Sequence, residues 1–462
     1  MDDCIHCRDF SRSEALRAAI AEAGGGLPSI EPGMPLPAGT GLTRRSFVAR
    51  SAGVVLAVYG ASKLPLRAFE DGIAQAAADA PSNPVLVTIF LQGGADALSV
   101  LFPAGDPLYT RYRPNLKLDP AKAKPVAEDP RLYWHPSLGG LSQLYAEGKV
   151  SLLPAVGYTH PDQSHFTSRH FWEVGATTAS LTTGWLGRFL DAVGTPDNPL
   201  QGLTLDNRLS PALAASKVPV AAIDATDSFT FTAYGVSDTV QTRMIETIGQ
   251  LAVSTGSRDP ALAQASSAVR QSAELRAQLD SFKTDGATFK VPASYPTGNG
   301  SFSKRLAGLA AMLGAGLPIK CVALTAPGAY DTHATQANAL STGLKQTSDT
   351  LFAFQRDLEQ RGIADRVLTL VWSEFGRRAA ENGSAGTDHG AAGVGFLIGT
   401  RSTGKMIGQY AGLASGLDSQ GNLVPTSDFR GVYASLLEQW FGQDAGAVIP
   451  DAQSLARILL VK

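Results

Sequence analysis

Pro84-Val85-Leu86-Val87-Thr88-Ile89-Phe90-Leu91 runs directly into Gln92-Gly93-Gly94-Ala95-Asp96-Ala97-Leu98. The first half is a nearly unbroken apolar and β-branched run, the pattern of a strand covered on both faces as the central strands of a parallel sheet are. The second half turns abruptly to glycine, which lets backbone approach a ligand or turn tightly. Asp96 is open to two readings there, a metal ligand at the tip of the strand or a cap for the helix that follows. Outward from this stretch the same cadence recurs. Helical spacing over Leu138 to Tyr145 precedes a second core strand, Val150 to Val156. Cys321 to Leu324 and Val367 to Val371 read as further strands, and Lys304 to Leu313 and Leu340 to Leu358 as helices. Alternation of this kind predicts an α/β fold, a doubly wound, mostly parallel sheet flanked by helices. Asp238 to Phe282 reads as helical and Asp285 to Ser303 as a Gly-, Ser- and Pro-rich excursion, so 238–303 is a helical insertion, either a cap over a site or a packed subdomain.

The bulk numbers exclude some partners. At 462 residues and 44% hydrophobic the chain buries a large core. With 39 basic against 41 acidic residues and no basic run, nothing attracts nucleic acid or an anionic membrane surface. Gly and Pro are scattered between periodic segments without a repeat, as in a loop-rich enzyme.

The N-terminal region reads as an address. Thr43-Arg44-Arg45-Ser46-Phe47-Val48 precedes Ser51-Ala52-Gly53-Val54-Val55-Leu56-Ala57-Val58-Tyr59-Gly60, and Ala74-Gln75-Ala76 follows. Paired arginines at Arg44 and Arg45, a short apolar stretch and a small-residue cleavage site are the parts of a twin-arginine export signal. Ala49 stands where the usual pattern has lysine. Residues 1–80 are thus expected to be signal and leader, and 81–462 the α/β domain. The expected partner in export is the twin-arginine translocase, which carries proteins already folded, often with a cofactor loaded. The expected destination is periplasmic or extracellular, with no transmembrane anchor in the mature chain, because the apolar stretch is too short to span a bilayer. Cys4 and Cys7 would leave with the leader, and Cys321 alone can form no internal disulfide.

Chemistry concentrates at the strand ends. Cys321 to Leu324 leads into Ala326-Pro327-Gly328-Ala329-Tyr330-Asp331-Thr332-His333, and Val367 to Trp372 into Ser373-Glu374-Phe375-Gly376-Arg377; Asp388-His389 lies beyond. In open α/β sheets ligands bind beyond the carboxyl ends of the strands. Asp331, His333, Glu374, Asp388 and His389, with Asp96, form a candidate ligand set of carboxylates and imidazoles for a divalent metal. Zinc, magnesium, calcium and manganese are not distinguished. Each residue alone also fits a turn, a solvated histidine or a salt bridge to Arg377 or Arg378; one shared site explains all of them together. A loop with three histidines follows the second strand, Gly157 to Trp172. His165 and His170 are five apart, a rotation of roughly 140° on a helix, so they cannot share one face. Ser164 lies where this helix should begin. It either caps the helix or, among unpaired N–H groups at the positive end of the dipole, is placed to attack an anionic ester.

These stretches resemble a bacterial export family, domain of unknown function family 1501, placed by sequence similarity in the alkaline phosphatase and sulfatase superfamily. The resemblance is carried by Gly41 to Val48, Gln92 to Leu98, Ser164-His165-Phe166, Tyr330 to Gln336, Ser373 to Arg377 and Gly386 to Gly390, spread in order along most of the chain. It implies an alkaline phosphatase-like doubly wound sheet, a divalent metal centre and a nucleophile at a helix start. Members of the family are often encoded beside a second exported family, which implies a co-exported protein partner. Asp331, Asp388 and His389 become ligands by this resemblance, His333 and Asp96 site residues, and Ser164 the nucleophile. One departure stands out: the superfamily's Asp-His pair after the strand is Glu374-Phe375 in this chain.

The function expected is an exported metal-dependent hydrolase of phosphate or sulfate esters. Ser164 and His165 form its catalytic set, with Arg169 and Arg377 offsetting charge on the ester oxygens. The alternative is a non-catalytic periplasmic protein that uses the same cleft to bind a polymer or a partner protein. A redox cofactor ranks behind both, for want of a cysteine cluster or dinucleotide glycine fingerprint.

Overall fold

The computed structural model describes the strand Leu56–Tyr59 and residues 83–462, apart from 196–197, most of 224–290 and 299. Arg44 and Arg45 lie outside the described residues, as does most of the 238–303 insertion.

In chain order the elements are β1 (Leu56–Tyr59), β2 (Val85–Phe90), α1 (Ala97–Val100), β3 (Leu101–Phe102), α2 (Tyr109–Tyr112), β4 (Tyr133–Trp134), α3 (Gly139–Ala146), β5 (Val150–Gly157), α4 (His165–Val174) and α5 (Trp185–Val193). Then follow β6 (Gly202–Thr204), β7 (Val220–Ile223), α6 (Gly300–Gly314), β8 (Cys321–Thr325), α7 (Gln336–Gln360), β9 (Val367–Trp372), β10 (Gly393–Ile398), β11 (Ser427–Asp428) and α8 (Phe429–Gln439). Nine strands form one sheet in the order β1-β7-β6-β8-β2-β9-β10-β5-β11. β2 is flanked by β8 and β9, both parallel to it. β10 runs antiparallel to β9 and β5, and β1 antiparallel to β7, so the other seven strands share one direction. β3 and β4 make a small separate ribbon.

The apolar run of β2 is explained by its two neighbours in depth. Val85, Val87 and Ile89 pack with Leu141 of α3, Leu309 of α6 and Leu344 and Phe354 of α7. Leu86 and Phe90 face the other way, against Trp172 of α4, Phe189 of α5 and Phe429 and Leu436 of α8. Each face of the sheet has its own helical layer, so the strand needs no polar side. This is the doubly wound, mostly parallel α/β arrangement expected from the cadence.

The sequence reading did not separate out β6, β7 or β10. β6 is only three residues long, and β10 starts inside a glycine- and alanine-rich stretch. β1 falls in the segment read as the apolar part of an export signal, and it lies along β7 with Leu56 opposite Ile223. Among the described residues no helix is long and apolar enough to cross a membrane.

Strand direction sets where the loops meet. The chain leaves β2, β5, β8 and β9 at one edge of the sheet, and because β10 runs the other way, the segment that enters it starts at that same edge. Loops 91–96, 158–164, 326–335 and 373–392 therefore share one rim.

Candidate metal centre

The tip of β9 is built first. Glu374 is buried, and its carboxylate accepts backbone N–H groups of Gly93 and Gly94 at 3.0 Å each. Ser373 donates its hydroxyl to the Leu91 carbonyl at 2.7 Å and accepts from the Ala95 N–H at 2.9 Å, tying the ends of β2 and β9 together. The two glycines are required. A Cβ on Gly93, at φ +120°, would sit 2.3 Å from the Asp331 nitrogen, and one on Gly94, at φ +71°, 2.4 Å from the Phe375 ring. The close backbone approach read from Gly93-Gly94 is thus made to the Asp331 loop and to the Glu374 carboxylate.

His165 opens α4, and its Nδ1 lies 2.7 Å from Glu374 Oε1. The Ser168 hydroxyl, one turn on, donates to the Glu374 carbonyl at 2.6 Å and locks helix to strand. His165 therefore presents Nε2 to Asp331, whose Oδ1 is 3.5 Å away. Two more imidazoles converge on that oxygen, His333 Nε2 at 3.1 Å and His389 Nε2 at 3.7 Å. The Nε2 atoms of His333 and His389 are 3.0 Å apart. His389 directs Nδ1 to the Gln163 carbonyl at 2.8 Å, and His333 Nδ1 lies 3.5 Å from Asp388 Oδ1. All three rings thus turn one nitrogen outward to an oxygen and the other inward. Ligating atoms of His165, Asp331 and His389 lie within 4.8 Å of one another.

Arg377, buried, frames the floor. It donates to the carbonyls of Gly94 (2.8 Å), Thr387 (2.9 Å) and Gly93, and to Asp331 Oδ1 at 2.7 Å; its Nη1 is 3.2 Å from His333 Nε2. Burial would raise the Asp331 pKa, but the imidazoles of His165, His333 and His389 and the charge of Arg377 around its carboxylate overturn that and hold it far below the carboxylate range. Burial likewise opposes ionised Glu374, and the His165 hydrogen bond and charge reverse it, so Glu374 is held down as well. Burial pushes His389 down to about 4. For His165, burial lowers the pKa and the hydrogen bonds to Asp331 and Glu374 more than offset it, so the net direction is up.

His165, Asp331 and His389 are a group that could hold a metal ion. Two ligands on a tetrahedral zinc, at roughly 2.0–2.1 Å each, are separated by roughly 3.3 Å; the contacts of the three imidazoles with Asp331 Oδ1, at 3.1, 3.5 and 3.7 Å, and of His333 with His389, at 3.0 Å, lie near that value. An outward nitrogen hydrogen-bonded to carboxylate or carbonyl, which fixes the tautomer and aims the other lone pair, is the usual support of a ligating histidine.

Several sequence expectations change role. Glu374 is not placed as a ligand, since its oxygens are taken by Gly93, Gly94 and the back of His165. Asp388, half exposed, stands behind His333 and accepts from Asn382 at 3.1 Å. Asp96 is away from the cluster: it pairs with buried Arg113 at 2.5 and 2.9 Å and accepts from Ser99 at 2.7 Å and Gln336 at 2.6 Å. A strand-tip carboxylate looks the same in sequence whether it meets an ion, an imidazole or a guanidinium. His165, expected among the catalytic residues, lies in the His/Asp cluster. Arg169 binds Glu173 through Nε at 2.8 Å, lies over the Phe90 ring and lines a neighbouring cavity. Arg377 is enclosed by carbonyls and Asp331. Ser164 holds the N-cap position of α4, but its hydroxyl makes no cap hydrogen bond; the Ser164 N–H donates to Asp162 at 2.8 Å. His170 is buried in the core, apart from His165, as the spacing required. Sequence reasoning missed Gln163 and Arg113, which act through a backbone carbonyl and a distant ion pair and leave no motif.

Residues 135–451 match the family described as a protein of unknown function, DUF1501. The chain belongs to this DUF1501 family. The matched span holds His165, Asp331, His333 and His389. No curated protein matches the chain. Among solved structures it is similar to the C-terminal periplasmic domain of EcEptC from Escherichia coli (7% identity, TM-score 0.35, covering 82% of this chain and 90% of that one). It is also similar to an alkaline phosphatase superfamily protein from Vibrio parahaemolyticus (10%, 0.33, 85% and 79%) and to the PsFucS1 sulfatase from Pseudoalteromonas sp. (10%, 0.35, 86% and 76%).

Proposed function

We propose that this DUF1501 protein is a metal-dependent hydrolase of phosphate or sulfate esters, built on one divalent ion. The observation that carries the reading is the convergence of His165, His333 and His389 Nε2 on Asp331 Oδ1, with each Nδ1 turned to an oxygen. A set richer in imidazole than in oxygen favours zinc or a similar transition ion over magnesium or calcium. A single ion is favoured by Phe375, whose ring packs 4.8 Å from both His165 and His389 where an Asp-His pair would supply another imidazole.

Such an ion supplies Lewis acidity for an ester oxygen and lowers the pKa of a hydroxyl beside it. The protein does the rest. Glu374 holds a proton at His165 Nδ1 and the Gln163 carbonyl holds one at His389 Nδ1, leaving both Nε2 atoms basic and oriented. Arg377 fixes Asp331. Ser164 lies between Gln163 and His165, at the positive end of α4, with its hydroxyl outside the cap, and offers the nucleophile.

The test is the metal content of the purified full chain and its turnover of 4-nitrophenyl phosphate and 4-nitrophenyl sulfate. About one zinc per chain, lost in Asp331→Ala and His389→Ala, with turnover that follows the metal, supports the reading. Metal-free protein with no turnover in added zinc overturns it in favour of a polymer- or partner-binding role. Export through the twin-arginine route belongs to the same proposal, resting on Arg44-Arg45 and the residues after it. Its check is whether the Arg44→Lys, Arg45→Lys pair keeps the protein inside the cell.

A further inference from the structure

Beside the metal cluster, at the same rim of the sheet, lies a cavity of roughly 390 Å³, within the range of small-molecule sites. It is built on the tips of β2, β6, β8 and β9. Phe90 and Trp372, which stack at 4.4 Å, contribute to the apolar part of its wall. Trp372 is two residues before Glu374, and Arg169 is one helical turn after His165 on α4, so the cavity shares a strand and a helix with the centre.

Three arginines line it, Arg169, Arg208 and Arg305. Arg169 is held by Glu173 at 2.8 Å, and Arg305 of α6 by Asp206 at 2.7 Å. Asp206 is itself fixed by the Thr325 N–H at 2.8 Å and the Thr325 hydroxyl at 3.0 Å. Glu173 and the Thr325-anchored Asp206 set two guanidinium groups in place, and the arginines outnumber the two acids. Burial pushes Asp206 up to about 6. Gln92, Asn207 and Ser210 also line the cavity, with amide and hydroxyl groups of the kind that pair with ligand hydroxyls. An apolar ligand would leave this wall unpaired, at a cost.

We propose that the cavity is the subsite for the alcohol part of the substrate, and that this part is itself anionic and hydroxyl-bearing, a uronate or a sulfated sugar unit in chemical terms. The inference rests on the hydrolase reading for the word substrate; the binding it asserts does not.

The experiment is therefore binding, measured by calorimetry on the full chain stripped of metal by chelator, with glucuronate, glucose 6-sulfate, glucose and benzoate as probes. Glucuronate and glucose 6-sulfate are expected to bind, with glucose and benzoate each weaker by about tenfold or more, the worth of one charge-assisted hydrogen bond or of the hydroxyl contacts. Arg305→Gln should cost about tenfold or more in glucuronate affinity. Arg208→Ala, at an exposed position that leaves no buried acid without its partner, should weaken it in the same direction. Equal affinity for glucose and glucuronate, no binding of either anion, or variants that bind as the wild type does would overturn the subsite. Binding seen only with metal restored would also overturn it, since it places the anion on the metal centre. If the anions bind but no metal or turnover is found, the subsite stands and the hydrolase reading falls.

Discussion

His165 Nδ1 and Glu374 Oε1 lie 2.7 Å apart, with both side chains buried and the residues 209 positions apart in the chain. On the proposed reading this pair gives Glu374 the part of orienting an imidazole and not of offering an oxygen to the ion.

Glu374→Gln should therefore leave the donor atoms in place and loosen them. Metal affinity is expected to fall about 10–100-fold, the usual cost of losing such a support, while the fold is retained. Competition against a chelator of known affinity reads it directly, and a variant that holds metal as tightly as the wild type would remove Glu374 from this role.

Asp96→Asn should do the opposite. Asp96 and Arg113 form a buried pair, and removing one charge from such a pair costs about 3–5 kcal/mol. Urea unfolding is expected to show that loss with metal stoichiometry unchanged. Loss of metal at full stability would return Asp96 to the ligand set.

Ser164→Ala removes a hydroxyl that caps nothing. Stability and metal content should stay within experimental error, while turnover of aryl esters falls by about a thousandfold or more, as for other lost nucleophiles. Turnover at the wild-type rate would assign attack to water.

His135 supplies a pH test remote from the centre. Burial holds this 4% exposed imidazole down to about 4 against the ordinary 6.5. Above 6.5 it is neutral in both folded and unfolded chains. As pH falls from 6.5 the unfolded chain takes the proton first, so stability drops through the window and the contribution is gone below about 4. Its size is on the order of 3 kcal/mol, from about 1.4 kcal/mol per pKa unit. His135 Nδ1 accepts the Ser137 N–H at 3.0 Å, a contact that Asn can keep without titrating. His135→Asn should thus flatten the stability profile between pH 6.5 and 4 relative to the wild type; identical profiles would show that the ring is not protonated on unfolding.

The fold was legible where burial leaves a one-dimensional mark. β2 and β9 are continuous apolar runs because helices cover both faces, and the loops after β8 and β9 were marked by the abrupt turn to Asp331, His333 and Glu374. Reversed strand β10 was not legible, because Gly393–Ile398 is apolar in the same way whichever direction it runs. At the site, Asp331, His333 and His389 were found together, while the parts played by Glu374, Asp388 and Asp96 depend on which nitrogen each carboxylate meets. That is a tertiary fact, and so is the Arg113 partner of Asp96.

Arg377 and His389 face each other across a short antiparallel bridge, continued by Gly376 N–H to Ala391 and Arg378 N–H to Asp388 at 3.0 Å each. One side of the centre is thus a hairpin that a dozen or so residues close. The other contributors come from far along the polypeptide, and Cys321, the cysteine among the described residues, is unpaired. A cation held by His165, Asp331 and His389 would clasp those remote segments together, doing for this chain the cross-linking that a secreted protein often assigns to a disulfide.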